Sequence, residues 1–367
     1  MQMDARGYLE TREALIQAPF EPARWADALT SLASLCHATS AQLLSFGPTR
    51  FNPMVAPGVG EADVMDFLAI GGMDPATNHG LAAMLRADAG HVVTDSEYLS
   101  DHDRRRDPLY NEFFAKYDGH FVSSGVLFRE GGRLRNLNLF HHRRQQGLGP
   151  NESGLMARLL PHFAKAVDLS IQLEGRAASL STNAIEQAGP ATILCQADGK
   201  IVAAGRKAEA MLSRGDVVGA RDGRLRLSCR EAQAELDMRI AAAARRFAPE
   251  SGSVMVQRPC DRRIRIACVP VPEGDHNRFL EPLALLMIRD DDRPMLDRRA
   301  VGRTFALTEA ETSIAELLIE GASSSRIAEV RGVSVETVNS QIKSILSKTG
   351  CSKRSEIPNL MRMYLSL

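Results

Sequence analysis

The chain has 367 residues, 44% hydrophobic and 25% charged, with 45 Lys and Arg against 45 Asp and Glu. That length exceeds one ordinary domain two- to three-fold, and no apolar run approaches the ~18 residues of a membrane span. Zero net charge excludes a protein that coats nucleic acid through a global positive field, so charge must be read locally. From residue 298 onward ten basic residues stand against seven acidic ones, which makes the C-terminal end the basic end. The first thirteen residues carry acids and arginine rather than a signal peptide, and the expected compartment is the cytoplasm. Six cysteines (36, 195, 229, 260, 268, 351) contain no C-x-x-C pair, the pattern of buried reduced thiols rather than of a disulfide frame or zinc site.

Residues 1–175 mix two periodicities. Trp25, Leu29, Leu32 and Cys36 form the apolar face of a helix starting near Pro22, with Trp25 as a core residue. Residues 41–46 read as a strand. Residues 121–128 and 134–140 read as a hairpin turning at Glu130-Gly131-Gly132-Arg133, where glycine tolerates positive φ. From Pro150, Leu155, Leu159, Phe163, Val167 and Ile171 recur every four residues and predict a helix of 20 residues or more. Such a stripe packs either on its own domain or on a twin in a dimer.

Residues 185–290 open with strands at 192–196 and 200–204, joined by Ala197-Asp198-Gly199. Helices at 206–212 and 231–246 follow, then strands at 253–257, 263–271 and 283–289. Two strands, helices and three strands predict a five-stranded antiparallel sheet. The order resembles a PAS domain, and the run "ILCQADGKIVAAGRKAEAML" is similar to its opening, except that Gly205 stands where that pattern has Asn. The substitution puts the usual hydrogen bonds of the helix start in question. The first segment resembles GAF or PAS-like sensor domains through its plan and the run "LLPHFAKAV". Residues 290–294, three aspartates, Arg293 and Pro294, have linker composition.

The last part, 300–367, is predicted all-helical. Thr308 and Glu311 make a T-x-x-E capping box, Ile314, Leu317 and Leu318 give the helix an apolar face, and Gly321 ends it. A second helix begins near Ser324 with Ile327, Ala328 and Val330 inward, stops at Arg331-Gly332, and Val333 is expected to plug the core. Ser334 N-caps a third helix running to about Lys348, with Val338, Ile342, Ile345 and Leu346 inward. A further helix from about Ser355 carries Ile357, Leu360, Met361, Tyr364 and Leu365 and buries them on its own module or on a two-fold mate. Short helix, glycine-containing turn and amphipathic helix make a helix-turn-helix. The outward face of the third helix holds Thr337, Asn339, Ser340, Lys343, Ser344 and Lys348, and beyond Glu336 no carboxylate: donors and amides that enter a groove without repelling it.

These residues carry a second, more specific resemblance. Leu307-Thr308, Glu311, Gly321, Ile327-Ala328, Val333-Ser334, Thr337-Val338, Lys343, Ile345, Lys348, Gly350 and Arg354 stand at the spacing of the LuxR/GerE-type pattern over about 50 residues. The resemblance implies a homodimer on double-stranded DNA. It gives base-edge reading to Asn339, Ser340 and Lys343, and backbone contacts to Thr337, Ser344 and Lys348, with Ser334 at the helix entry. Ala310 replaces the family's common Arg and Gln341 its common His, and these departures motivate an alternative, an adaptor whose helix-turn-helix no longer binds DNA.

The loop residues His91, Asp95, Asp101, His102 and Asp103, with Arg104 to Asp107, match no metal-ligand spacing and read as solvated. His141 to Arg144 reads as a surface turn, and Gly58-x-Gly60 as a loop. No G-x-S-x-G, P-loop, H-E-x-x-H or kinase motif points to catalysis. The expected protein is therefore not an enzyme. It combines α+β sensor domains with a small all-α helix-turn-helix domain, a small-molecule ligand in the sensor part, and no assigned cofactor or metal; with a single tryptophan, an acyl-homoserine lactone is not the expected ligand.

Overall fold

The structure is a computed structural model describing residues 2–47, 50–130, 132–145, 147–187, 189–215, 217–257, 263–272, 274, 277–290, 298–319 and 321–361. Its contacts define two units. One comprises Met1–Ala178 with Arg245–Pro249 and Val271–Leu283; the other comprises Ser179–Ala244, Glu250–Pro270 and Ala284–Leu367. Among the described residues no helix is long and apolar enough to cross a membrane.

In the first unit, β1 (Ser40–Phe46), β2 (Phe51–Val55), β3 (Val92–Thr94), β4 (Phe121–Glu130) and β5 (Arg133–His141) pair antiparallel in the order β2-β1-β5-β4-β3. Gly132 has φ +78° in the predicted β4–β5 turn, while Gly131 lies outside the described residues. Side chains alternate across a strand, so each strand feeds two cores. Leu43, Leu137 and Leu139 face one way, onto Trp25, Leu29, Leu32, Leu159 and Phe163. Leu44, Val126 and Leu134 face the other way, onto Phe67, Leu81, Met84 and Leu109. Trp25 is core, as expected, with its ring centroid 4.8 Å from that of Phe279. A Cβ on Gly125 would stand 2.3 Å from Leu160 Cδ2, so the glycine is what lets the long helix lie down on β4.

That helix runs Pro150–Gln187, 38 residues. Of its predicted stripe Leu159, Phe163 and Val167 are fully buried, while Leu155 and Ile171 sit partly covered at the core's edge. Inside the first unit, Glu174 on this helix accepts the backbone N–H groups of Phe279 (2.9 Å) and Leu280 (2.8 Å), and Arg133 pairs with Glu281 at 2.5 Å.

Two polar groups expected in solvent are interior. Asp95 and Arg104 are buried, 3.4 Å apart, with Asp95 also accepting Val122 N and Arg104 lying over the Phe121 ring. His141 is buried too, its Nε2 3.1 Å from Cys36 O. Both lie against the open end of the β4–β5 hairpin, where Phe121 and Val122 cover Asp95 and Arg104 and the helix end at Cys36 covers His141.

The second unit contains β6 (Ala191–Gln196), β7 (Ile201–Ala204), β8 (Val218–Arg221), β9 (Arg224–Leu227), β10 (Gly252–Gln257), β11 (Arg263–Pro270) and β12 (Leu283–Asp290). Five of these form the predicted sheet, in the order β10-β11-β12-β6-β7; β8 and β9 are a separate hairpin that the sequence did not announce. With that hairpin set aside, both five-stranded sheets share one order: second, first, fifth, fourth, third. Helix Arg230–Ala243 lays Leu236 and Ile240 on Val254, Ile264, Ile266 and Leu286.

Gly205 turns out to have a purpose. It N-caps helix Arg206–Arg214 without a side chain, and the cap comes instead from Glu186, near the end of the long helix. The Glu186 carboxylate accepts Lys207 N (2.8 Å), Ala208 N (3.0 Å) and Thr192 N (2.9 Å). A Cβ on residue 205 would stand 2.1 Å from Glu186 Cδ. The Asn of the PAS-like pattern and this carboxylate cannot occupy the same space.

Candidate functional site

Helices Arg298–Phe305, Glu309–Ile319, Ser324–Arg331, Val335–Thr349 and Glu356–Met361 enclose a core of Val301, Ile314, Leu318, Ile327, Val338, Ile342, Ile345, Ile357 and Met361. The capping box is formed: Thr308 N donates to Glu311 (2.7 Å) and Glu311 N to Thr308 Oγ1 (3.2 Å). Gly332 and Gly350 close the second and third helices with φ of 62° and 71°, the left-handed cap that glycine adopts without a steric penalty. Val330 and Val333, expected inside, are 54% and 37% exposed. The eight-residue second helix turns only Ile327 and Ala328 inward, and the left-handed Gly332 swings the chain outward before Val333. Tyr364 and Leu365 lie outside the described residues.

The third helix presents the predicted reading face. Ser334 Oγ accepts Thr337 N at 3.1 Å and lies 3.0 Å from Thr337 Oγ1, so the two hydroxyls sit together at the helix entry. Ser334, Thr337, Asn339, Ser340 and Lys343 are exposed. Asn339 Oδ1 accepts from Ser324 Oγ at 2.9 Å, and Ser324 is in turn held by Arg354, which also reaches Ala322 O. Arg354 thus anchors the second helix's N-terminus and, through it, one end of the face.

Ser344 and Lys348 stand differently: both donate to Glu311, Ser344 at 2.6 Å and Lys348 at 2.7 Å. Glu311 is 5% exposed. Burial opposes its ionisation, but the hydrogen bonds from Lys348, Ser344 and Thr308 prevail and hold its pKa at about 2. The acid of the capping box therefore also clasps the third helix to the first.

A second candidate site lies in the first unit, in a cavity of about 60 Å³ on the sheet face opposite the long helix. The register sets Gln42, Asn138 and Ser124 directly opposite one another across β1, β5 and β4, a polar rung flanked by Leu44, Val122 and Phe140. Ser124 Oγ (2.8 Å) and Asn136 Nδ2 (2.6 Å) both donate to Asn138 Oδ1. The Asn138 amide donors keep no partner among the described residues, and the buried Asn136 Oδ1 accepts nothing.

Rings form the walls, with centroid separations of 4.6 Å for Phe51–Phe67, 5.3 Å for Phe67–Phe113 and 5.5 Å for both Phe113–Phe114 and Phe114–Phe140. Phe113 closes Leu109–Phe113, a single wide helical turn of a kind found often at functional sites. Tyr98 and Tyr110 bring their hydroxyls within 3.2 Å of each other, and burial raises both pKa values and keeps the phenols neutral. At the rim Asp63 accepts from Tyr117 and from Gly60 N, bonds that lower its pKa and keep it anionic. Sequence reading missed this site because its parts are spread over a hundred residues; the alternation of polar residues along β1, β4 and β5 was the one available signal.

The comparisons divide in the same way. The model of the family described as bacterial regulatory proteins, luxR family, matches residues 306–361. No curated protein matches the chain. Among solved structures, the VqmA–ligand–DNA complex from Vibrio cholera is similar at 15% identity and TM-score 0.28, over 51% of this chain and 88% of that one. The ligand-binding domain of VqsR from Pseudomonas aeruginosa is similar at 16% identity and TM-score 0.34, over 45% and 96%. A bacteriophytochrome from R. palustris is similar at 12% identity and TM-score 0.33, over 77% and 62%. At such scores the likenesses carry no argument; the family match bears on residues 306–361. This chain therefore carries, at residues 306–361, a helix-turn-helix domain of the luxR family of bacterial regulatory proteins.

Proposed function

We propose that the protein is a cytoplasmic, homodimeric transcription regulator, not a catalyst, that reads double-stranded DNA with its third C-terminal helix and responds to a small molecule held in the first unit. Its working parts are sensor segments 1–175 and 185–290 and the reading domain 300–367. The observation that carries this is the exposed polar face of helix Val335–Thr349, with no carboxylate beyond Glu336, in a luxR-family domain. Asn339, Ser340 and Lys343 are assigned to base edges, Asn for adenine and Lys for guanine. Thr337, Ser344 and Lys348 are assigned to the phosphate backbone, with Ser334 beside them at the DNA-facing helix entry. For Asn339 to pair with adenine its Oδ1 must exchange Ser324 for the base, and for Lys348 to reach a phosphate it must share itself with Glu311.

A symmetric dimer requires a two-fold operator with half-sites about one turn of DNA, ~34 Å, apart. Selection of bound fragments from genomic DNA tests the reading. Wild type should enrich a palindrome, and Lys343→Ala should relax one position of it by about 1–3 kcal/mol; equal binding of all sequences by both proteins refutes specific readout. The engagement of Ser344 and Lys348 by Glu311 favours the adaptor reading, in which fewer cations are left for phosphate. Salt separates the two, because phosphate contacts make affinity fall steeply as salt rises, and a flat salt dependence would establish the adaptor.

A further inference from the structure

Resting on the reading of the first-unit cavity as a ligand site, we propose that its ligand is an uncharged organic molecule no larger than one ring, with an amide- or hydroxyl-type edge. That edge is read by Asn138, Gln42 and the Tyr98–Tyr110 pair.

Charge comes first. Among the described lining residues there is no Lys or Arg; besides the phenols, the ionisable groups are the Asp63 carboxylate and the exposed His79. A carboxylate or phosphate at the floor would lose its water with no Lys or Arg to receive it and would meet the Asp63 carboxylate at the rim. A cation fares no better at the floor. Asp63 is already taken by Tyr117 and Gly60 N, and the groups the floor leaves over include the Asn138 amide donors, which a cation cannot accept.

The hydrogen-bonding inventory selects the edge. Asn138 offers N–H, Gln42 beside it carries an amide with both a donor and an acceptor, and the two phenols share one hydrogen between them, leaving the other to donate. Donors and acceptors side by side, all neutral, suit a group that both gives and takes. Unmet, these groups are costly inside an apolar chamber.

Size follows from the walls. A cavity of about 150 Å³ is what a benzene ring occupies in an apolar core, and the free space here is about 60 Å³. A one-ring ligand enters only if the wall yields. The half-buried Phe113, which ends the wide turn at Leu109–Phe113, and Phe114 next to it are the side chains placed to swing. The ligand's ring then takes its place among rings already tilted against one another.

Three probes of one shape isolate charge: benzamide, benzoate and benzylamine, titrated calorimetrically into the full-length protein at neutral pH. Benzamide should bind at least about ten-fold more tightly than either ion, and Asn138→Leu should erase that preference by removing the hydrogen bonds. Benzoate or benzylammonium binding as well as benzamide overturns the proposed class and leaves the ligand site standing. No binding of any probe at millimolar concentration, or benzamide binding unchanged by the cavity-filling Ser124→Phe, overturns the site itself. A Ser124→Phe protein that keeps the wild-type far-UV spectrum and melting temperature excludes misfolding as the cause of a loss.

Discussion

Glu311 joins two residues predicted for DNA to a residue predicted for helix capping. Its pKa lies at about 2, below the ordinary 4.5, because the hydrogen bonds to its charged form outweigh burial. A depressed folded pKa contributes stability that is complete above the unfolded value and fades as pH falls through the folded one. Melting of wild type should therefore lose ground to Glu311→Gln between about pH 4.5 and pH 2, converging near the lower limit, whereas at pH 7 wild type is the more stable. If the two melt in parallel over that range, the clasp contributes nothing. At this scale the sequence showed the capping box through T-x-x-E spacing but not the Lys348 contact, which depends on how two helices cross. Val330 and Val333 failed for a related reason: apolarity alone did not reveal that an eight-residue helix and a left-handed glycine turn them outward.

Among the elements, helix Arg206–Arg214 is the clearest case of a rule met by an unexpected route. Its entry lacks the Asn of the PAS-like pattern, and the missing acceptor arrives from twenty residues upstream. Gly205 has φ −77° and ψ 166°, an extended conformation open to any residue, so a substitution there is penalised by collision alone. Gly205→Asn should destabilise the protein by about 1–3 kcal/mol, as overpacked sites do. Adding Glu186→Ala to Gly205→Asn should restore much of the loss, since Asn then has room to cap the helix itself. Denaturant melts of the two single variants and the double variant test this; additive losses would contradict it. The strands of the second sheet were readable from alternation, whereas the hairpin of β8 and β9 was not, because arginines at 221, 224 and 226 mask its short apolar pattern. In the first unit the hairpin was visible but not what packs against its open end, which is why Asp95, Arg104 and His141 were read as wet.

For the whole molecule, three cysteines report on the two units separately. Cys36 lies in the first unit's core and Cys195 and Cys268 in that of the second sheet. Burial pushes their thiols up to about 12, 12 and 11. Reagents attack the thiolate, so these three should stay silent in native protein and react only on unfolding, while the half-buried Cys229 and Cys351 react at once. Mass-resolved labelling along a denaturant gradient would show whether Cys36 appears together with Cys195 and Cys268; rapid native labelling of any of the three would refute the burial argument. Fold class and the third helix of the luxR-type domain were legible in the sequence because they depend on local spacing, whereas the cavity, assembled from strand register, was not. The Glu186–Gly205 contact has one more consequence, and it concerns descent. Neither residue can change alone without a clash or an empty cap, so across related chains the two positions should be inherited as a pair, an acid at the first only where the second has no side chain.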